Sequence, residues 1–266
     1  MAQWRIDEQK YRPPDTTNFE VVMLADEDGN IINSSGAASN IPIASGQLDG
    51  YSHINKFGFS TNISIGGGSN FNTIWNDGGL YDYASTPTTA TVTSTDSDDN
   101  GGVVTIIGLD SNYNDATEDV TIGGAAGTVL FLRVFRVILK TPGPGQTSNV
   151  GNISIIIDTA KRAEILIGNG QTLMAIYTVP ANKTGYLLKL QASPSKNTDV
   201  QFRLVTREFG GTFLVKGQFG TFGVPVTYDY PVPIVIPEKT DIEIQGKAGN
   251  TCAAGAIFDI ILVNNS

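Results

Sequence analysis

The stretch from Gly168 to Asn197 is the part of the sequence that most constrains the fold, because apolar residues alternate with others on both sides of a short turn at 180–183. A period of two residues on both sides of a turn is typical of a β-hairpin. We therefore expect two antiparallel strands, each with one buried face. The residues predicted to be buried are Leu173, Ala175, Tyr177 and Val179 before the turn, and Tyr186, Leu188, Leu190 and Ala192 after it.

The same alternation predicts strands through most of the chain, and no window shows a sustained helical period. Near the end of the chain, Asp241, Glu243 and Gln245 alternate with Ile242 and Ile244, so the polar side chains are predicted to face solvent. The sequence thus predicts an all-β protein with one or two antiparallel β-sandwich or jelly-roll domains. In its first half the predicted strands are 53–59, 71–75, 89–94, 102–107, 118–122, 129–140 and 151–157.

Three regions are predicted along the chain. Residues 1–50 form an N-terminal arm, a small hairpin with an Asp28-Gly29 turn, and a linker. The polar residues 1–18 are either a frayed end or an extended arm that docks on a neighbouring subunit through Trp4 and Tyr11. A Pro-Gly-Pro-Gly break at 142–145 favours a boundary near residue 160. This gives a first β-sandwich region at 51–160 and a second β-sandwich or jelly-roll region at 161–266, with one large barrel as the alternative.

The apolar stretch 129–140 predicts a central strand that is covered on both faces. Arg133 and Arg136 lie on opposite faces of it, so at least one of them is predicted to be buried. A buried guanidinium needs a carboxylate or carbonyl partner. The acidic residues expected to supply it are Asp110, Glu118 and Asp119.

Composition excludes several classes of partner. The 266 residues carry a net charge of −9, so the chain lacks the positive surface that binds nucleic acid or an anionic membrane. The N-terminus has no apolar signal-peptide core, and the longest apolar run is interrupted by two arginines, so neither secretion by a Sec signal nor a membrane span is predicted. Cys252 is the single cysteine, which excludes an intramolecular disulfide and predicts a small buried residue.

No constellation of residues predicts catalysis. Asp96, Asp98 and Asn100 match the first half of a calcium loop, but Ile107 stands where a bidentate glutamate is needed. We interpret the segment as an acidic hairpin turn, with weak calcium binding as the alternative. A single histidine, His53, leaves zinc and a catalytic triad without support. The sequence therefore predicts no enzyme and no cofactor.

Four aromatic residues are candidate contact residues: Trp75, Tyr81, Tyr83 and Tyr113. Core packing is the more common role for such side chains, and contact with a ligand or another subunit is the alternative. The sequence leaves both open.

Several short motifs taken together resemble structural proteins of tailed bacteriophages, especially phages of marine bacteria. The resemblance spans roughly residues 50–263, and it rests on these segments: IWNDGG at 74–79, GLDSNYN at 108–114, EDV at 118–120, FLRVFR at 131–136, NVGNI at 149–153, YTVPA at 177–181 and PEKTDI at 237–242.

This resemblance implies a non-enzymatic component of a virion. The most direct form is a capsid decoration or cement protein, or a minor head protein, that assembles as a homotrimer and contacts the major capsid protein. The alternative is a neck, tail or host-attachment protein whose β-sandwich binds a glycan.

Overall fold

A computed structural model of the chain describes residues 24–25, 31–32, 42–65 and 70–265. It is built almost entirely of strands, which confirms the predicted all-β class. The predicted N-terminal hairpin is present as a short antiparallel pair, whereas residues 1–18, with Trp4 and Tyr11, lie outside the described residues. The strands are β1 (Leu24–Ala25), β2 (Ile31–Ile32), β3 (Tyr51–Ser60), β4 (Asn72–Thr73), β5 (Thr91–Ser94), β6 (Val103–Asp110), β7 (Asp115–Thr121), β8 (Phe131–Thr141), β9 (Ile153–Ile157), β10 (Ala160–Ile165), β11 (Ile176–Thr178), β12 (Lys183–Pro194), β13 (Asp199–Arg207), β14 (Leu214–Phe222), β15 (Val226–Ile236), β16 (Asp241–Ala248) and β17 (Ala254–Asn264).

Nine of these strands form a jelly roll of two antiparallel sheets. One sheet has the order β3-β17-β12-β15, and the other has the order β11-β16-β13-β14, with β4 also paired to β16. Apart from β4 and β11, which share one edge, and β13 and β14, which pair with each other, successive jelly-roll strands lie in alternate sheets, in the manner of a double Greek key. The buried faces of the two sheets supply the core, represented by Leu187, Phe258 and Ile260 on one sheet and Phe202 and Ile244 on the other.

One edge strand of the jelly roll is assembled from two distant pieces of the chain. β4 pairs with β16 at Thr73–Gln245, and β11 continues along the same strand at Ile176–Glu243. Between these pairs, the Ala175 amide donates to the Ile74 carbonyl over 2.9 Å, and an isolated bridge joins Trp75 to Met174. The chain therefore leaves the sheet after residue 75 and returns to it at residue 174.

The intervening residues 76–173, here called the inserted region, contain two three-stranded antiparallel sheets. Their orders are β10-β9-β5 and β7-β6-β8. Val92, Val104, Ile106 and Ile155 from the two sheets belong to the same hydrophobic cluster as the jelly-roll core. The inserted region and the jelly roll are thus packed together through one continuous core.

The strand pairing groups the chain differently from the predicted regions. β3 and β4 fall within 51–160, yet they pair with β17 and β16 near the C-terminus. Hydrogen bonds between strands therefore join residues 51–75 to residues 174–265. Whether the chain folds as two units that divide near residue 160 stays a prediction.

The structure corrects the hairpin predicted at 168–197. Its two strands exist, but β11 pairs with β16 while β12 pairs with β15 and β17, so the turn between them is a corner linking two sheets. A bulge between Leu187 and Lys189 also changes which side chains face inward. Leu187 and Leu190 are buried, whereas Tyr186 and Leu188 are only half-buried, because the extra residue reverses the alternation.

The prediction of a central strand at 129–140 was also wrong in part. β8 has many buried side chains, but it lies at the end of its sheet. Loop residues cover its free side: the Leu139 amide donates to the Gly170 carbonyl, and the Thr172 amide donates to the Val137 carbonyl. Periodicity reports burial and cannot distinguish a neighbouring strand from a covering loop.

Candidate functional site

The inserted region meets the jelly roll at an open cleft with a volume of about 660 Å³. The inserted region contributes the segments 83–85, 111–113 and 132–133. The jelly roll contributes the β13–β14 turn at 207–211, together with Lys239 and Asp241. We call this feature the cleft.

An ion triad around the buried Asp241 forms the floor of the cleft. The Arg133 Nε donates to Asp241 Oδ1 over 2.8 Å, and the Arg207 Nη2 donates to Asp241 Oδ2 over 2.6 Å. The Thr178 hydroxyl donates to the same carboxylate over 2.7 Å. Burial alone would lower the pKa of Arg133, but its hydrogen bond and ion pair with Asp241 raise the pKa above its ordinary value. The triad fastens β8 of the inserted region to β16 and β13 of the jelly roll.

The partner of Arg133 is therefore not one of the three predicted acidic residues. Asp110 accepts from two backbone amides in the β6–β7 turn, Glu118 accepts from the Thr128 and Val129 amides, and Asp119 pairs with Lys140. These three carboxylates lie near Arg133 in sequence, but each of them bonds to a backbone amide or a lysine within the inserted region instead. The predicted need for a carboxylate was right, whereas its source lies 108 residues further along the chain.

Aromatic rings surround the triad. The Arg207 guanidinium lies against the neighbouring rings of Tyr83 and Phe213, 4.6 Å from each centroid. Arg133 lies 5.1 Å from the Tyr83 centroid and 5.4 Å from that of Tyr113. Planar guanidinium groups stack well on aromatic faces, so these rings hold both arginines in fixed orientations.

Glu243 lies beside this network and is fully buried. It accepts hydrogen bonds from the Thr73 hydroxyl at 3.0 Å and from the side-chain amide of Gln245. Burial raises its pKa to about 7, and the nearby Asp241 charge contributes to the rise. A carboxyl group in this position changes its protonation state near neutral pH.

The polar residues of β16 were predicted to face solvent, and this was wrong. Asp241, Glu243 and Gln245 are all buried. The inserted region and the segment leading into it cover the outer face of the sheet: Arg133 reaches Asp241, and Thr73 reaches Glu243. Alternation identified the two faces of β16, but it did not reveal that both are covered.

The four candidate aromatic residues fall into two groups. Trp75 and Tyr81 are buried in the core, with their ring centroids 4.9 Å apart and nearly perpendicular. Their rings are enclosed by the protein's own atoms and are not surface contacts in this chain. Tyr83, which is half-buried, and Tyr113, which is buried, also line the cleft, and for them contact with a ligand or partner stays a prediction.

The candidate calcium loop forms a short 3₁₀ turn at Ser97–Asp99. Asp96 caps this turn by accepting from the Asp98 amide, and Asp98 and Asn100 are exposed. The buried carboxylate here is Asp99, which accepts from the Val150 and Gly151 amides, each at 2.9 Å. The segment thus anchors the loop before β9, and calcium binding stays a prediction.

The remaining single residues have local structural roles. His53 is exposed on β3, with its Nε2 3.1 Å from Asp259 Oδ1. Cys252 is buried, with its Sγ 3.8 Å from the Ser195 hydroxyl. Within residues 42–65 and 70–265, no three His, Cys, Asp or Glu side chains group as metal ligands would. Across the described part of the chain, no helix has the length and apolar character needed to cross a bilayer.

A second surface lies on the two edge strands β14 and β15. Exposed apolar side chains cover both strands and the turn between them, and Val232 is 80% exposed and Phe222 61% exposed. We call this set the edge surface. It comprises Leu214, Val215, Phe222, Val224, Tyr228, Val232 and Val235.

Comparison with known proteins gives only a weak structural similarity. No family model matches the chain, and no curated protein matches it. The structure of infectious bursal disease virus Gt strain is 12% identical over 82% of this chain and 73% of that chain, with a TM-score of 0.21. The crystal structure of the infectious bursal disease virus VP2 subviral particle is 9% identical over 82% of this chain and 72% of that chain, with a TM-score of 0.20.

These structures represent a viral capsid protein rather than a tailed bacteriophage protein. TM-scores this low carry no argument about function. The function of the chain is therefore argued from its own surfaces.

Proposed function

We propose that this protein is a non-enzymatic structural component of a virus particle, which assembles with other copies of itself through the edge surface. The observation that carries the proposal is the concentration of exposed apolar side chains on β14 and β15. Large exposed apolar side chains concentrated on one part of a soluble protein often mark an interaction site. A virion is an assembly in which such a surface would be covered.

The chemistry of the edge strands supports contact through side chains. β14 carries a single charged residue, Lys216, and β15 carries only Asp229. Isolated monomers usually protect edge strands with several charges. β15 also contains Pro231 and Pro233, which cannot donate to an added strand, so a partner would pack against the face of β15 rather than extend its sheet.

The finer form of the proposal rests on the resemblance to tailed-phage proteins. In that form the chain is a decoration or cement protein, or a minor head protein, that forms a homotrimer and contacts the major capsid protein. Its location is the virion. Residues 1–18, with Trp4 and Tyr11, would supply an additional anchor to neighbouring subunits.

Sedimentation of the purified chain tests the assembly surface. A trimer would have about three times the monomer mass of 28.2 kDa. Val232→Asp and Phe222→Asp should each shift the population to monomer, because they place a charge where an apolar contact forms. Ile167→Asp is the matched control, since Ile167 is 63% exposed but lies in the inserted region. Monomeric behaviour of the unmodified chain at every concentration would contradict self-assembly.

Electron cryomicroscopy with immunogold labelling of purified particles tests the location. Many copies spread over the head support decoration, and a few copies at one vertex support the neck or tail. Absence of the chain from purified particles would refute a virion role. The alternative, a host-attachment protein that binds a glycan, is favoured by one specific observation, which is the cleft.

A further inference from the structure

The cleft has the size of a small-ligand site. Its volume of about 660 Å³ lies within the usual range for ligand pockets, roughly 300–1,000 Å³. The β6–β7 turn in its wall is fixed by Asp110, which accepts from the Asn112 and Asn114 amides. The Tyr113 carbonyl also accepts from the Ala181 amide over 2.8 Å, which ties this turn to the jelly roll. Hydrogen bonds within the chain therefore hold this wall of the cleft in place.

The charge that the cleft offers to a ligand is positive. It is lined by three cations, Arg133, Arg207 and Lys239, and by two carboxylates, Glu208 and Asp241, which leaves one net positive charge in the lining. Asp241 is already satisfied by both arginines and Thr178. Arg207 uses its Nε and Nη2 on Asp241, and among the described residues its Nη1 has no hydrogen-bond partner. Lys239 likewise forms no ion pair with any carboxylate in the described part of the chain.

An exposed aromatic platform lies beside these cations. Phe209 is 69% exposed at the tip of the β13–β14 turn. Its ring is perpendicular to that of Tyr113, with the centroids 5.8 Å apart, and the Lys239 Nζ lies 5.7 Å from the Phe209 centroid. The Asn112 side chain lies in the same wall. An aromatic face, a free cation and an amide together match a ligand with an apolar face, a carboxylate and hydroxyl groups.

We propose that the cleft binds an acidic saccharide, with the sugar carboxylate at Lys239 and the Nη1 of Arg207. The C–H face of the ring packs on Phe209, and Asn112 bonds to ring hydroxyls. An open cleft of this volume, bordered by several turns, fits one or two sugar residues better than an extended acidic peptide. A host-attachment protein of the kind named above as the alternative function would bind its glycan in this cleft. The residues of the cleft lie outside the edge surface.

Titration of the full-length protein, monitored by NMR, tests the site. The probes are N-acetylneuraminic acid and glucuronic acid, with galactose as the uncharged comparison. We expect both acids to bind and galactose to bind at least tenfold more weakly. Lys239→Gln and Phe209→Ala should each weaken binding of the acids at least tenfold. Lys196→Gln, which changes an exposed lysine whose Nζ donates to the Thr251 carbonyl, should leave binding unchanged.

Three results would overturn the inference: no binding of either acid, binding that Lys239→Gln and Phe209→Ala leave intact, or binding of a glutamate-rich hexapeptide in place of the acids. Sedimentation of the same variants separates this inference from the assembly proposal. Both cleft variants should keep the mass of the unmodified chain. Loss of sugar binding with unchanged mass therefore tests the cleft alone.

Discussion

Replacing Glu243 with glutamine should make the protein more stable at high pH and leave its stability unchanged at low pH. Glu243 is buried, and its pKa is about 7 in the folded protein against an ordinary value of 4.5. The folded state therefore holds a proton on Glu243 more tightly than the unfolded state does. The stability associated with this carboxyl is fully present below about pH 4.5 and is lost as the pH rises through about 7.

The size of the effect follows from the separation of the two pKa values. At about 1.4 kcal/mol per pH unit, the separation corresponds to roughly 3 kcal/mol. Glutamine has nearly the same shape as the protonated carboxyl group and carries no charge. It can accept from the Gln245 amide and donate to the Thr73 hydroxyl oxygen, which already accepts from the Tyr81 amide. Glu243→Gln therefore avoids the cost that Glu243 incurs on ionisation.

Urea unfolding at a series of pH values from 4 to 8 measures this difference. The free energy of unfolding of Glu243→Gln minus that of the unmodified chain should be near zero at the acid end and should rise toward roughly 3 kcal/mol at the alkaline end. Glu208→Gln, which changes an exposed carboxylate, is the control and should show a flat difference. A flat difference for Glu243→Gln would refute the reasoning, because it would mean that Glu243 titrates alike in both states.

Two further predictions concern the ion triad and the packing of β3 against the edge strand built from β4 and β11. Asp241→Asn should lower the free energy of unfolding by about 3–5 kcal/mol, because it leaves two arginines without their buried counter-charge, whereas Asp119→Asn at an exposed pair should change it little. Gly58→Ala should cost about 3 kcal/mol or prevent folding, because its Cβ would lie 2.2 Å from the Ala175 nitrogen and 2.3 Å from the Ile74 oxygen. Gly255→Ala in the paired strand, whose Cβ meets nothing closer than 3.7 Å, should be tolerated. Urea unfolding of each variant beside its control checks both predictions. Equal free energies of unfolding for Asp241→Asn and Asp119→Asn would contradict the first prediction. Equal values for Gly58→Ala and Gly255→Ala would contradict the second.

The pattern of apolar residues correctly indicated the all-β class and most strand positions. Each strand from β3 to β9 overlaps the segment predicted for it. Local sequence is sufficient here, because side chains of a strand alternate between two faces whatever the strand pairs with. The need of Arg133 for a carboxylate was predictable for a similar reason, since an isolated charge is costly in any apolar surrounding.

The candidate site, by contrast, depends on which distant segments meet. Arg207, Lys239 and Phe209 gave no local signal, because each lies in an ordinary turn or at a strand end. Only the jelly-roll topology brings these residues against the inserted region to form the cleft.

The stretch 168–197 shows where sequence alone reaches its limit. Its residues determined two strands and a turn, because alternation and turn chemistry are local properties. Tertiary structure decided that the strands belong to different sheets, and that residues 175–178 complete an edge strand begun by residues 72–74. It also decided that Asp241 and Glu243 are buried. Strand pairing and the covering of a sheet face depend on contacts about 100 residues apart, which no local period encodes.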